Sequence, residues 1–378
     1  MKFFHLSDLH LGKRVNECSM LEDQRHILAE IVRLAEEERP DAVLIAGDVY
    51  DRSVPCVEAV QLLDQFLVQL SGLGLAVFVI AGNHDSVERM AFASALLAKS
   101  NVHISPMYAG TLAPITLHDA HGPLHIWLLP YLKPATVRPY FEGKEIASYS
   151  DALAAALEPA EIDTSARNIL VAHQFVTGAV TSESEELYVG GSENVDASLF
   201  AAFDYVALGH IHRPQMIERE TLRYCGTPLK YSFSEVNHRK SVTVVDFGGK
   251  GDIAVTERPL TPLHDMRELR GTYAELTSRL HYTGTNTEDY IHITLTDEED
   301  EPNAMMKLRS IYPNLMRLDY DNKRTRSSVF VESAAGLEKK TPMEFFGELY
   351  EAQNGQPMSE QQAEYARRVF AEIQEASL

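Results

Sequence analysis

Five mostly apolar runs each end in side chains that can bind a metal ion or move a proton. The runs are residues 3–6, 42–46, 76–80, 168–172 and 205–208. They lead into SDLH, GDVYD, AGNHD, a lone His173 and GHIH, in that order. Runs without polar alternation are typical of strands that are buried on both faces. Because sites in layered α/β proteins form at the carboxyl ends of strands, we expect these side chains to converge.

The side chains at these strand ends are oxygen and imidazole donors. They are Asp8, His10, Asp48, Asn83, His173, His210 and His212. A set without cysteine suits manganese, iron, zinc or magnesium better than soft metals. Seven donors are too many for one four-coordinate ion but suit two ions that share a bridging carboxylate. Glycine precedes Asp48, Asn83 and His210, which allows sharp turns and close approach of the ligands.

The ordered series of motifs resembles the signature of the calcineurin-like metallophosphoesterases. Six stretches are similar to the motifs of the SbcD nuclease subfamily: FFHLSDLHLGK, VLIAGDVYDRSVP, VIAGNHDS, YVALGHIHRPQ, GSENVDASLFAAFDYVALGHIH and RYCGTPLKYSFSE. The metallophosphoesterase likeness covers about residues 1–260, and the SbcD-like layout covers the whole chain. The resemblance implies an α/β fold with a two-sheet sandwich flanked by helices, a small α/β capping domain and a C-terminal helical pair.

The resemblance also implies a role for each donor at two divalent ions, which we expect to be manganese. One ion is held by Asp8, His10 and His212, the other by Asn83, His173 and His210, and Asp48 bridges them. His84 acts on the leaving oxygen, as an acid or as a transition-state donor. Asp51 either orients His84 or caps a helix. Arg52 either binds phosphate or forms a surface ion pair.

The net charge of −21 argues against a chain that grips DNA by itself, since phosphate neutralisation supplies most DNA affinity. The resemblance implies a partner, the SbcC ATPase, bound to a homodimer of this chain in a heterotetramer. The homodimer would form through helices near 55–70 and 87–99, whose apolar residues could equally belong to the core. We expect a cytoplasmic protein without a membrane segment. The three cysteines are scattered, the N-terminus begins with a strand pattern, and the sequence has no long apolar stretch.

The chain is predicted to divide into four parts. Residues 1–264 form the nuclease domain, 265–320 the capping domain, 321–340 a linker and 341–378 a pair of partner-binding helices. In the first part, residues 25–38 and 55–70 have the spacing of amphipathic helices, the second with an apolar stripe that includes Val57 and Val60. A third helix is expected near 87–99. The capping domain is expected to help shape access of DNA to the metal site.

Two helix starts mark the C-terminal part, TPME at 341–344 and SEQQ at 359–362. Their apolar stripes contain the candidate partner-binding residues Met343, Phe346, Tyr350, Val369, Phe370 and Ile373. The stripes either fold back onto the capping domain or dock on another chain.

The predicted function is a metal-dependent DNA nuclease that works with the SbcC ATPase in double-strand-break repair and recombination. It would be an exonuclease on duplex ends and an endonuclease on single strands and hairpins. The alternative is a phosphodiesterase or phosphatase of the same fold that acts on a non-DNA phosphoester. A third possibility is a non-catalytic scaffold, against which the full ligand set and His84 both argue.

Overall fold

The computed structural model of the protein describes residues 1–185, 193–322, 325, 342–354 and 357–376. For residues 342, 344–345, 352–354 and 371–376 it describes the helical backbone and not the side chains. The chain forms two compact units, Met1–Asp265 and Met266–Leu378. The finer division into capping domain, linker and helical pair stays a prediction, and most of the predicted linker lies outside the described residues.

The first unit is built on two six-stranded sheets. Their strands are β1 (Lys2–Leu6), β4 (Ala42–Ala46), β5 (Ala76–Ile80), β6 (Val102–Ile104), β7 (Ile115–Asp119), β8 (Gly122–Leu129), β9 (Arg167–His173), β10 (Tyr205–Gly209), β11 (Gln215–Ile217), β12 (Arg219–Tyr224), β13 (Ser241–Phe247) and β14 (Ile253–Pro259). A two-residue ribbon, β2 (Arg14–Val15) and β3 (Cys18–Ser19), follows β1. The sheet orders are β14-β13-β1-β4-β5-β6 and β11-β12-β10-β9-β8-β7.

The inner strands of both sheets are parallel, which brings their carboxyl ends to one edge. In the first sheet β1, β4 and β5 run parallel to one another. In the second sheet β8, β9, β10 and β12 do the same. Gly209 pairs with His173 at the last position of the β9–β10 register, so the GHIH motif begins beside the lone histidine.

The hydrophobic core lies between the two sheets and continues on their outer faces. Side chains of β1, β4, β5 and β13 pack with those of β8, β9 and β10 in one buried cluster. The helices of this unit are α1 (Leu21–Glu38), α2 (Val57–Gly72), α3 (Val87–Met90), α4 (Ser94–Leu97), α5 (Pro134–Val137) and α6 (Tyr149–Leu157). Buried residues of α6 join a second cluster with β9 and β10. The predicted α/β class, with two packed sheets flanked by helices, is confirmed.

Two details of the predicted helices are wrong. The expected helix near 87–99 is divided into α3 and α4, because Ala93 between them adopts a left-handed φ of 59° that a helix cannot contain. In α2 the buried stripe consists of Ala59, Leu62, Leu63, Phe66 and Leu70. Val57 and Val60, which were expected in that stripe, are exposed instead.

The second unit contains a three-stranded parallel sheet, β15 (Met266–Gly271), β16 (Tyr290–Leu295) and β17 (Leu315–Tyr320), joined by α7 (Tyr273–Leu276), α8 (Arg279–Tyr282) and α9 (Ala304–Arg309). Ile291, Ile293 and Leu295 of β16 pack against Leu276 and Leu308 in its core. The helices α10 (Pro342–Asn354) and α11 (Glu360–Ala376) follow. Among the residues that the structure describes, no helix combines the length and apolar character that crossing a membrane would require.

Candidate metal centre

The structure brings the seven predicted donors to the carboxyl edge of the two sheets. The first sheet supplies those that follow β1, β4 and β5, namely Asp8, His10, Asp48 and Asn83. The second sheet supplies those at the ends of β9 and β10, namely His173, His210 and His212. All except Asn83 are buried. Three triplets have potential ligand atoms within 4.8 Å of one another: Asp8–His10–His212, His10–Asp48–His84 and Asp48–His173–His210.

Backbone strain accompanies this arrangement. Asp8, His10, Asp48 and His210 have φ values of 52°, 44°, 47° and 100°, in a region that non-glycine residues seldom occupy. Such strain costs on the order of 1–3 kcal/mol per residue and persists where neighbouring contacts enforce it. Here the Asp8 amide donates to Gly47 O at 3.0 Å, and the His10 amide donates to Asp48 O at 2.9 Å. The His210 amide donates to the Asp8 carboxylate at 3.0 Å, so the loops hold one another in place.

Close approach of the loops explains two of the glycines that precede donors. A Cβ added to Gly82 would lie 2.1 Å from Asp48 Oδ1. A Cβ added to Gly209 would lie 1.9 Å from Ala46 O. Any side chain at either position would therefore push Asn83 or His210 away from the other donors.

The donors around Asn83 lie within hydrogen-bond distance of one another. Asn83 Oδ1 lies 2.9 Å from His173 Nε2 and 2.9 Å from His210 Nδ1. His173 Nε2 is also 3.3 Å from Asp48 Oδ2. Because His173 Nδ1 donates to Ala46 O at 2.8 Å, neutral His173 presents a lone pair at Nε2. Asn83 Oδ1, Asp48 Oδ2 and the Nε2 lone pair of neutral His173 are acceptors this close together, and a proton or a metal ion among them offsets their repulsion, so this donor set fits a divalent ion.

The donors around His10 fit an ion for a related reason. His10 Nε2 lies 3.2 Å from His212 Nε2. Nδ1 of His10 is buried and has no hydrogen-bond partner among the described residues. An unpaired buried polar atom is costly, which indicates that this imidazole serves another ligand. Together with the Asp8 carboxylate, these rings would hold a second divalent ion.

Asp48 lies between the two donor groups, as expected of a bridging ligand. Its Oδ2 is 3.3 Å from His173 Nε2 and 3.8 Å from His10 Nε2. Burial alone would raise the pKa of Asp48, but the His173 and His10 imidazoles outweigh it and hold that pKa well below its usual range. Asp48 thus lies as a carboxylate between imidazoles of both groups. The assignment of each donor to a particular ion stays a prediction.

His84 and Asp51 contact each other in a different way from the one expected. His84 Nδ1 donates to the main-chain oxygen of Asp51 at 3.0 Å. The Asp51 carboxylate instead accepts from Lys13 Nζ at 2.7 Å and lies 3.7 Å from His10 Nδ1. It does not cap α2, whose N-cap residue is Cys56. Arg52 is 79% exposed, and its Nε is 3.8 Å from the Asp51 carboxylate, which is a weak surface pairing.

Two carboxylates that support the site were not among the predicted site residues. Asp85 accepts hydrogen bonds from the amides of Val49, Tyr50 and Gly82, and so joins the loops after β4 and β5. Burial, reinforced by the Asp48 charge, raises the pKa of Asp85 to about 6. Glu235 is fully buried, 3.3 Å from His212 Nδ1. Asp85 could have been predicted from the sequence because it ends the GNHD motif. Glu235 could not, because its spacing from His212 follows no motif.

The candidate partner-binding residues lie on the helical pair of the second unit. Phe346, Tyr350, Val369 and Phe370 line a cleft of about 600 Å³ between α10 and α11. The rings of Phe346 and Phe370 are 5.7 Å apart. Met343 is half-buried on α10, and the side chain of Ile373 lies outside the described residues.

Comparison with known proteins finds a family match over the first part of the chain. The family described as calcineurin-like phosphoesterase matches residues 1–214, which is more than half of the chain. Two solved structures have similarity to the chain at low identity. A protein from Thermus thermophilus is 14% identical, covering 68% of this chain and 98% of that one, with a TM-score of 0.39. A dimetal phosphatase from Danio rerio is 12% identical, covering 68% and 96%, with a TM-score of 0.41.

The similarity at full length is more specific. The chain is 34% identical over 380 aligned positions to the D subunit of the nuclease SbcCD from Staphylococcus epidermidis, covering 99% of each protein. Residues 262–354 match the family described as type 5 capsule protein repressor C-terminal domain. The chain therefore belongs to the SbcD family of calcineurin-like phosphoesterases.

The protonation of His173 predicts a pH dependence for the metal-free protein. Burial alone would lower the pKa of His173, but the Asp48 carboxylate outweighs it and raises that pKa to about 9. The unfolded value is about 6.5. The charged ring therefore contributes stability that is fully present below pH ~6.5 and is lost as the pH rises through about 9. Over the same interval affinity for divalent metal should rise, because the ion replaces a proton.

Guanidinium unfolding of the EDTA-treated protein at pH 6.5 and pH 9 measures the first effect, and metal titration at both values measures the second. A His173→Asn variant is the control, since it should lose most of both pH dependences. Equal pH dependence in the variant and the wild type would contradict the assignment to His173.

Proposed function

We propose that the protein is a manganese-dependent DNA nuclease that acts with an SbcC-type ATPase in the processing of double-strand breaks. The observation that carries the proposal is the convergence of seven donors and His84 at the carboxyl edge of the two sheets, in a chain of the SbcD family. The relative from Staphylococcus epidermidis is named as a subunit of the SbcCD nuclease, which supports both the substrate class and the partner.

The chain's own residues divide the chemistry between binding and proton transfer. When bound, two divalent ions would supply a nucleophile at neutral pH and offset the charge that develops on the phosphoryl oxygens. His84 is proposed to donate to the leaving oxygen. Its Nδ1 proton is held by the main-chain oxygen of Asp51, which fixes the ring. The reacting form is therefore the doubly protonated ring, which gives its Nε2 proton to the leaving oxygen and keeps its Nδ1 proton on Asp51 O. The Asp51 carboxylate holds Lys13 beside the site, and Arg52 is a candidate phosphate contact because its side chain is exposed to solvent.

A partner is needed to account for DNA binding by so acidic a chain. With 34 basic and 55 acidic residues, the protein offers little long-range attraction to phosphate. We propose that the SbcC-type subunit supplies that attraction and docks in the cleft between α10 and α11. An apolar cleft between two helices is the kind of surface that accepts a helix of another chain.

We propose that the protein also forms a homodimer through α2 and the α3–α4 segment. Val57 and Val68 of α2 are exposed, as are Phe92 and Leu96 of the α3–α4 segment. Contiguous exposed apolar patches mark interaction surfaces, and these four residues are proposed to contribute to one.

Nuclease assays test the main proposal directly. The purified protein is given duplex DNA, hairpin DNA and a small aryl phosphodiester, in manganese and in EDTA. We expect cleavage of DNA in manganese and none in EDTA. Rapid hydrolysis of the small diester with both DNA substrates left intact would instead favour a phosphoesterase of the same fold.

Replacement of His84 separates proton transfer from metal binding. The His84→Ala variant should retain its metal content and its DNA affinity but cleave about 10²–10⁴-fold more slowly, the usual contribution of a positioned general acid. Inductively coupled plasma mass spectrometry and single-turnover cleavage give the two readings. Asp48→Ala is the comparison variant, because it should lose metal and activity together. A His84→Ala protein that loses metal to the same extent would show that His84 is a ligand.

A charge introduced in the cleft tests partner docking. Tyr365 lines the cleft and is 62% exposed, so Tyr365→Glu should leave the fold and the nuclease chemistry intact. We expect at least a 10-fold loss of affinity for the SbcC-type subunit, measured by calorimetry. Arg367→Glu is the matched control, since Arg367 is exposed on the same helix outside the cleft lining. Equal affinity of the two variants would remove the cleft from the interface.

The homodimer proposal makes a separate prediction. Phe92 is 81% exposed, and Phe92→Glu should raise the dimer dissociation constant at least 10-fold in sedimentation equilibrium. Leu280→Glu is the control, because Leu280 is 95% exposed but lies in the second unit. A wild-type protein that is monomeric at micromolar concentration would refute the proposal.

A further inference from the structure

An ion pair is buried behind the donor group of His212. Glu235 is fully buried, and Lys240 Nζ donates to its Oε2 at 2.5 Å. Lys240 also donates to the main-chain oxygen of His212 at 2.9 Å. Buried ion pairs contribute little net stability, because desolvation offsets their attraction. Net stability is therefore a weak explanation for the pair, and its contacts lead to His212.

The Glu235 carboxylate acts on His212 through a serine hydroxyl as well as directly. Ser184 Oγ donates its proton to Glu235 Oε1 at 2.5 Å, so the same oxygen is left as an acceptor. His212 Nδ1 lies 2.8 Å from Ser184 Oγ and 3.3 Å from Glu235 Oε1. With two acceptors in front of it, Nδ1 carries the ring proton. Nε2 is consequently the atom with a lone pair, and it is the atom that faces His10 Nε2 at 3.2 Å.

The other donor group has no such arrangement of side chains among the described residues. His173 Nδ1 donates to the main-chain oxygen of Ala46 at 2.8 Å. His210 Nδ1 lies 2.9 Å from Asn83 Oδ1, which is itself a predicted ligand. The tautomer of His173 is thus set by the backbone of β4, whereas that of His212 is set by Ser184 and Glu235.

We propose that Glu235, acting with Ser184, is a positioning residue for the ion held by Asp8, His10 and His212, and sets the affinity of that ion separately from the other. The inference rests on the ligand set of the proposed function. Carboxylate and hydroxyl partners that orient a metal-binding histidine typically change metal affinity by about 10- to 100-fold when removed. The effect should fall on one ion of the two.

Two variants test the proposal without leaving a buried charge unpaired. Ser184→Ala removes the hydroxyl that faces His212 Nδ1 and leaves the ion pair intact. Glu235→Gln combined with Lys240→Met removes both charges together, which cores tolerate better than the loss of one partner. Manganese is titrated into each EDTA-treated protein, with circular dichroism to verify folding. Each variant should bind one ion with unchanged affinity and the other about 10- to 100-fold more weakly. Electron paramagnetic resonance at one equivalent per site should show isolated manganese in place of a spin-coupled pair.

Ser234→Ala is the matched control. Ser234 Oγ accepts from the Glu183 amide at 3.2 Å, so this hydroxyl joins the same two loops without touching His212. The control should bind two ions as the wild type does. Any of three results would overturn the proposal. Both test variants could bind two ions with wild-type affinity, both ions could be weakened equally, or Ser234→Ala could show the same loss. A wild-type protein that binds fewer than two ions would instead refute the ligand set and the proposed function.

Discussion

Two carboxylates buried among imidazoles are the constraint on which the metal centre depends. Asp8 and Asp48 are nearly inaccessible to solvent, and isolated charges in such a position would be too costly to retain. His173 and His10 hold Asp48 ionised, and the amide of His210 donates to Asp8. The strained φ angles at the strand ends and the glycines that cannot accept a side chain all serve to bring compensating groups within reach of these carboxylates. The arrangement is therefore organised for cations, at the expense of local backbone stability.

Both sheets supply donor side chains, which links this centre to the packing of the two sheets. Of the proposed ligands of one ion, Asp8 and His10 belong to the first sheet and His212 to the second. For the other ion, Asn83 belongs to the first sheet and His173 and His210 to the second. Each ion would thus join both sheets, so metal binding and sandwich packing stabilise each other. The His173 Nδ1 bond to Ala46 O crosses the same junction and already aligns β4 with β9.

The strand ends were predictable from the sequence because each one follows an apolar run directly with a carboxylate, amide or imidazole. Buried parallel strands lack polar alternation, so a carboxylate or imidazole directly after one is conspicuous in the sequence. The break at Ala93 was not predictable in this way, since alanine is the best helix former and only tertiary contacts place it at positive φ. Strand β15 has no comparable signal, because alternation of apolar and polar residues in MRELRG is weak. The contact of Glu235 with His212 is visible only in the structure, because the two residues are 23 positions apart in the sequence.

The acidity of the chain is compatible with phosphoester chemistry, because the two depend on charges at different distances. Attraction between DNA and protein depends on charge summed over a Debye length of roughly 10 Å or more, whereas phosphoester chemistry depends on groups in direct contact. Local positive charge at this centre would come from bound ions, with Lys13 fixed nearby by Asp51. The net charge of −21 over the whole chain disfavours binding of long DNA by this chain alone. Under the proposed function, a second subunit that brings DNA to this centre would raise the affinity for DNA and would also select which DNA is cut.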